Sequence, residues 1–223
     1  MPVIELKNIR KDYNGIEVLK GINISIESGE FVSIVGPSGS GKSTLMYIAD
    51  GIEKPSSGEV WIQGDMINKL KTGELDYKRC NTMGFIFQFF NLVENLTVRE
   101  NIVLPAIMAG KKKNEINSQL EKLINITGLE KKLNVFPGEL SGGQQQRVAI
   151  ARALINKPEI IFADEPTGNL DSKTGNEIMK LLIDINKSEK ATIVQVTHNN
   201  DMAFMGSRIV VIKDGEVLED KYV

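Results

Sequence analysis

The segment Gly36-Pro37-Ser38-Gly39-Ser40-Gly41-Lys42-Ser43 limits what this chain can fold into more than any other stretch. An apolar, β-branched run, Phe31 to Val35, leads into it, and a helical pattern, Thr44 to Ala49, leads out. A Gly-rich loop between a buried strand and a helix start is a phosphate cradle. Glycines let the backbone curl so that successive N–H groups point inward, and the helix N-terminus adds partial positive charge. At the spacing G-x-x-x-x-G-K-[ST], the lysine reaches the β- and γ-phosphates of a nucleotide and the following hydroxyl ligates Mg²⁺. The residues Gly36, Pro37, Ser38, Gly39, Ser40, Gly41, Lys42, Ser43 and Thr44 are therefore expected to hold a nucleotide, with Ser43 on the metal. The loop alone does not choose between ATP and GTP.

A strand that feeds such a loop needs parallel neighbours, and two further apolar runs supply them: Ile160 to Ala163 and Thr192 to Val196. The N-terminal thirty residues read instead as short half-buried strands, with Val3, Glu5 and Lys7 alternating with Ile4 and Leu6, and with Ile22, Ile24 and Ile26 on one face. Glu59 to Gln63 continues that theme and ends at Gly64-Asp65. Helical spacing appears at Ile116, Leu120, Leu123 and Ile124, closed by Gly128, and at Ile178, Leu181, Leu182 and Ile185 after a start signal at Asp171-Ser172. Arg208 to Ile212 and Glu216 to Leu218 flank Asp214-Gly215, a hairpin signal. These patterns predict a single α/β domain over 1–223, with a mixed core sheet, antiparallel strands near the N-terminus and a helix-rich insertion at about 75–157.

Charge and cysteine usage narrow the setting. The formal net charge of −2 argues against a dedicated nucleic-acid binder, which carries a basic surface to neutralise phosphates. Lys111-Lys112-Lys113 reads as a solvated helix start. With Cys80 as its one cysteine the chain forms no internal disulfide, which suits a reducing cytoplasm. The N-terminus lacks the apolar core of a signal peptide, and no run approaches the ~18–20 apolar residues that span a bilayer; Ile102 to Ala109 is short and holds Pro105.

The chemistry has two further candidates. Ile160 to Ala163 ends in Asp164-Glu165-Pro166, and neighbouring acids at a strand end point in different directions. Asp164 can then serve the Mg²⁺ shell while Glu165 polarises an attacking water. His198, the single histidine, follows Thr192 to Val196, where loops at the carboxyl ends of parallel strands carry ligand sites.

Leu140-Ser141-Gly142-Gly143-Gln144 resembles the signature of ABC ATPases, and the other motifs follow that family's order over nearly the whole chain. The physics of the signature is intelligible by itself: Ser141-Gly-Gly opens a helix, and a helix start with free N–H groups is an anion site. The resemblance implies more. Tyr13 would stack on adenine, Gln88 would be the Q-loop glutamine on metal and water, Gly168 to Asp171 the D-loop, and His198 the switch histidine. Ser141, Gly142, Gly143, Gln144 and Asp171 would join the nucleotide site of a second copy, in a head-to-tail homodimer closed by ATP. The implied fold is a phosphate-loop ABC-type nucleotide-binding domain with antiparallel β and helical subdomains, and the implied reaction is Mg²⁺-dependent ATP hydrolysis. Two positions depart from the family pattern: Asn169 stands where many members have Ala, and Asp50-Gly-Ile-Glu53 where relatives carry Gly-x-Leu-Asp. Neither has a catalytic role legible in the sequence.

Within the family, Gly84-Phe-Ile-Phe-Gln88-Phe-Phe-Asn-Leu and Phe162-Ala-Asp-Glu-Pro-Thr-Gly-Asn-Leu-Asp171 are similar to the MacB, LolD and FtsE branch. That resemblance implies a cytoplasmic subunit, peripheral on the inner face of the cell membrane. A separate integral-membrane permease would dock near residues 88–105, with Phe89, Phe90 and Leu92 suited to a groove. Export or extraction of peptides, macrolides or lipoproteins is the leading expectation, and FtsE-like regulation of cell-wall hydrolases the alternative. A soluble ATPase of DNA repair or translation fits the near-neutral charge poorly, and no long coiled-coil heptads occur.

Overall fold

Residues 2–223 are described by a computed structural model. β1 (Pro2–Tyr13) and β2 (Ile16–Glu27) pair antiparallel across Asn14-Gly15, both at positive φ, the conformation a tight two-residue hairpin demands. These strands are longer than the short runs expected from period two. Register shifts at Leu6/Ile9, Ile9/Arg10 and Lys11/Asp12 break the alternation while the pairing continues. β3 (Phe31–Val35) is buried throughout and runs through the cradle into α1 (Lys42–Ala49). β4 (Ser57–Ile62) pairs with β1, and β5 (Asp65–Met66) completes a four-stranded antiparallel sheet in the order β2-β1-β4-β5.

The chain then forms α2 (Thr72–Thr82), β6 (Met83–Phe87), α3 (Val98–Met108), α4 (Lys113–Thr127) and α5 (Gly142–Leu154). The interval expected to be helix-rich is so, except that β6 lies inside it and belongs to the core sheet. Gly84 shows why the two are close: a Cβ there would stand 2.6 Å from the Ala153 carbonyl of α5. The remaining elements are β7 (Ile160–Asp164), α6 (Ser172–Glu189), β8 (Thr192–Val196), the short α7 (Asn200–Ala203), β9 (Arg208–Lys213) and β10 (Glu216–Tyr222). The second sheet has the order β10-β9-β3-β8-β7-β6, parallel except for β10 at its edge.

Period two divides the core strands between two apolar clusters. Ile160 and Phe162 of β7 face the antiparallel sheet and α1, beside Ile4, Leu6 and Leu45, while Ile161 and Ala163 face the helices, beside Val148, Ile178 and Leu182. Burial on both faces fixes the register, because a slip of one residue would exchange the two sets. The same register sets where the strands end. Phe87 of β6, Asp164 of β7 and Val196 of β8 are aligned partners, and Ile34 of β3 pairs with Val196. Gln88, Glu165, His198 and the cradle therefore leave neighbouring strands at one edge of the sheet. Among the described residues, no helix is long and apolar enough to cross a membrane.

Candidate functional site

Two glycines make the cradle possible. Gly36, at φ 152°, and Gly41, at φ 96°, both adopt backbone that other residues resist; a Cβ at Gly36 would stand 2.0 Å from the Ile212 carbonyl, and one at Gly41 would stand 2.7 Å from a Leu19 methyl. The Lys42 ammonium donates to the carbonyls of Gly36 (2.9 Å) and Pro37 (2.8 Å), which holds it at the mouth of the loop. Among the described residues no side chain caps α1, which leaves its first turn open to an anion.

A cleft of 630 Å³ opens over the cradle, lined by Val18, Ser38, Gly39, Gly41, Lys42, Ser43 and Thr44 on one side and by Gln88, Asp164, Glu165 and His198 on the other. Sequence motifs from four separate strands thus meet in one place. Glu165 takes a left-handed backbone (φ 47°), unusual for a non-glycine residue, and its N–H donates to the Val196 carbonyl at 2.9 Å. That bond ties the strained residue to the end of β8. The Glu165 carboxylate Oε1 lies 2.8 Å from His198 Nδ1. With Nδ1 turned to the carboxylate, the imidazole presents Nε2 at the other end of the ring.

Asp164 is held differently. Its Oδ2 accepts a 2.6 Å hydrogen bond from the Tyr47 hydroxyl. That bond and burial push the Tyr47 phenol up to about 12, so it remains a donor. Ser43, Gln88 and Asp164 offer a hydroxyl, an amide and one carboxylate around the same cleft. Hard oxygen donors with a single carboxylate, beside a phosphate cradle, fit Mg²⁺, which keeps several waters and shares substrate phosphates. The Gln88 side chain is engaged by the chain segment after β7: its Nε2 donates to Asn169 Oδ1 (3.2 Å), and Asn169 Nδ2 donates back to the Gln88 carbonyl (3.0 Å).

The other expected nucleotide contacts lie outside this cleft. Ser141 caps α5, accepting from the Gln144 N–H (3.4 Å) while its own N–H donates to Gln144 Oε1 (3.0 Å); Gly142 and Gly143 follow as the open first turn. Asp171 caps α6, accepting from the N–H groups of Lys173 and Thr174 and from the Thr174 hydroxyl, and these bonds, Thr174's foremost, hold its carboxyl below the usual range. Tyr13 is 40% exposed at the end of β1, its hydroxyl donating to Glu53 Oε1 (2.5 Å) and its ring under the Lys11 ammonium. Burial foremost, and Glu53, raise its pKa, and Thr44 opposes them.

Sequence reasoning does not single out Tyr47 or Val18, and it marks Asn169 only as a departure from the family pattern, not as a partner of Gln88. One signal for Tyr47 was available: it follows Ser43 by four residues, so both share a face of α1.

The profile of the ABC transporter family matches residues 19–168. The chain is 45% identical over 216 residues to the lipoprotein-releasing system ATP-binding protein LolD of Aquifex aeolicus, covering 97% of this chain and 96% of that one. It is 47% identical over 224 residues to the macrolide export ATP-binding/permease protein MacB of Mannheimia succiniciproducens, covering 99% of this chain and 35% of that longer one. Among solved structures, the dimeric post-hydrolysis state of the ATP-binding cassette MJ0796 bound to ADP and Pi superposes with a TM-score of 0.89 at 46% identity, over 98% of each chain. MJ0796 is an ABC transporter ATP-binding protein of Methanocaldococcus jannaschii.

Proposed function

This chain belongs to the ABC transporter family, and from that premise we propose that it is the ATP-hydrolysing subunit of a LolD/MacB-type system, working beneath a separate membrane permease. The observation that carries the reading is the Glu165–His198 contact at 2.8 Å, held over a phosphate cradle by three strands in register. ATP lies with its phosphates in the Gly36–Ser43 loop, Lys42 leaving its carbonyl partners for the β- and γ-oxygens. Glu165 accepts a proton from the attacking water, and His198 fixes the carboxylate and offers Nε2 toward the γ-phosphate. Ser43, Gln88 and Asp164 would hold Mg²⁺, which supplies positive charge to the phosphate oxygens. Tyr13 stacks on the adenine.

The Ser141–Gln144 helix start does not reach its own chain's cleft, and this supports a head-to-tail homodimer in which it closes the cleft of a second copy, with Asp171 at the same seam. The MJ0796 cassette, dimeric with ADP and Pi, supports that arrangement. The permease is proposed to dock near residues 88–105. A groove there is lined by Phe85, Phe87, Asn91, Pro105 and Met108; Met108 is 76% exposed at it, and Phe89, two residues beyond Phe87 in the chain, is 72% exposed. Phe90 is half-buried and Leu92 packs into the helical core, so the docking role falls on Phe89 of the three. The subunit would sit on the cytoplasmic face of the membrane. Relatives named for lipoprotein release and macrolide export favour transport over FtsE-like regulation, and cargo choice belongs to the permease.

Glu165→Gln tests the chemistry. The amide keeps the shape and the His198 contact but cannot take a proton. Turnover should fall by about 10²-fold or more, with ATP binding retained and the ATP-bound dimer long-lived. Hydrolysis by that variant at the wild-type rate would remove Glu165 from the base role.

A further inference from the structure

We propose that Asn169 is a positioning residue that sets which end of the Gln88 amide faces the metal. The inference rests on the reading of Gln88 as a metal-side ligand and deepens it.

A glutamine serves a cation only through its oxygen; the NH₂ end, turned inward, would repel it. Something must therefore fix the flip of the Gln88 amide. The structure shows a two-step device. The Gln88 backbone carbonyl accepts from Asn169 Nδ2 at 3.0 Å, and this orients the Asn169 amide, because its oxygen could not make that bond. Asn169 Oδ1 is thereby presented to Gln88 and accepts from Nε2 at 3.2 Å. With Nε2 engaged on the side of Asn169, Oε1 is left as the free end of a side chain that lines the nucleotide cleft. The backbone supports the fit: a Cβ on Gly168 would stand 3.0 Å from Gln88 Nε2, so the loop lies closely on this side chain and a larger residue there would press on it. An alanine at 169, as many family members carry, has neither group and leaves the amide free to rotate. Outer partners that orient a metal ligand contribute strongly to metal affinity in other sites.

The pair also joins the loop Gly168–Asp171 to the segment after β6. Asp171 at the end of that loop caps α6, so the loop is anchored at one end by Gln88 and at the other by a helix N-terminus.

The test is Mn²⁺ titrated into the full chain with a non-hydrolysable ATP analogue, with bound metal followed by EPR. Affinity for the analogue in EDTA is measured on each variant as a check of the folded cradle. Asn169→Ala should raise the half-saturating Mn²⁺ by about tenfold, with the EDTA affinity unchanged. Asn169→Leu, similar in volume but unable to hydrogen-bond, should match it. Gln88→Ala should raise it at least as far, and the double variant no further. Unchanged Mn²⁺ saturation in both Asn169 variants beside a shifted Gln88→Ala would overturn the positioning role and leave Gln88 on the metal. Unchanged saturation in Gln88→Ala would remove the metal reading of Gln88 and this inference with it. A double variant worse than Gln88→Ala would mean that Asn169 acts by another route, which also overturns it.

Discussion

Asp50 lies at the end of α1, seven residues beyond Ser43 on the same helix face as Tyr47, and is 1% exposed. Its Oδ1 accepts from the Ile52 N–H at 2.8 Å, while Oδ2 has no hydrogen-bond partner among the described residues. Burial pushes its pKa from 3.8 up to about 7; the Ile52 N–H and Arg79 oppose the shift, and Asp164 adds to it. The folded state thus binds a proton that the unfolded state has released between these two values. Stability present below pH 3.8 is therefore lost as pH rises toward 7, with no further change above that. The Asp50→Asn variant would keep the Ile52 bond and carry no charge at this position. The stability difference between wild type and Asp50→Asn, from denaturant titrations at pH 4.5 to 8, should tilt toward the variant by up to about 1.4 kcal/mol per pH unit and level off near pH 7. A difference independent of pH would mean that Asp50 is charged throughout. At this scale the sequence is legible where one short motif holds the chemistry: Lys42, Ser43, Asp164, Glu165 and His198 all line the expected cleft. It is not legible where two partners are far apart. Tyr47 and Asp164 are separated by 117 residues, and Gln88 and Asn169 by 81, so each pairing waits on the strand order.

Among the elements, α5 does two jobs at its two ends. Its N-terminus presents the signature, and near its C-terminus Arg152 reaches the segment after β6, donating to the carbonyls of Phe90 (2.7 Å) and Asn91 (2.5 Å). Phe90 and Asn91 are both at positive φ, a bend that those bonds hold in place. Burial lowers the Arg152 pKa, so the guanidinium depends on its two carbonyl partners for compensation. Arg152→Met keeps much of the apolar stem and removes both bonds. It should destabilise the chain by about 2–3 kcal/mol in denaturant titration and should weaken stimulation of ATP turnover by the permease more than it weakens basal turnover. Equal losses in both would mean that the link is structural only. Helices with strong end signals are legible in the sequence: α4 stops at Gly128 in left-handed backbone, and α6 starts at its Asp171 cap. β6 is hidden because Met83-Gly84-Phe85-Ile86-Phe87 has no clean alternation and lies among helices. Its strand state comes from β7 on one side and α5 across its face, contacts that local pattern does not encode.

For the whole molecule, the sheet order decides the function. Placing β6, β7, β8 and β3 side by side gathers the cradle, Gln88, Asp164, Glu165 and His198 into one cleft, and leaves the α5 N-terminus outside it. On the proposed head-to-tail pairing, the cleft of one chain is complete only when the Ser141–Gln144 helix start of a second copy meets it, since that helix start does not line its own chain's cleft. The most direct measurement mixes two variants. Lys42→Ala disables the cradle and Ser141→Arg blocks the signature, so each protein alone should be inactive. In a head-to-tail mixed dimer one cleft combines both lesions and the other has neither, so an equal mixture should recover about a quarter of wild-type ATP turnover from random pairing. No recovery above the sum of the separate variants, with dimers formed, would contradict the account and return each active site to a single chain.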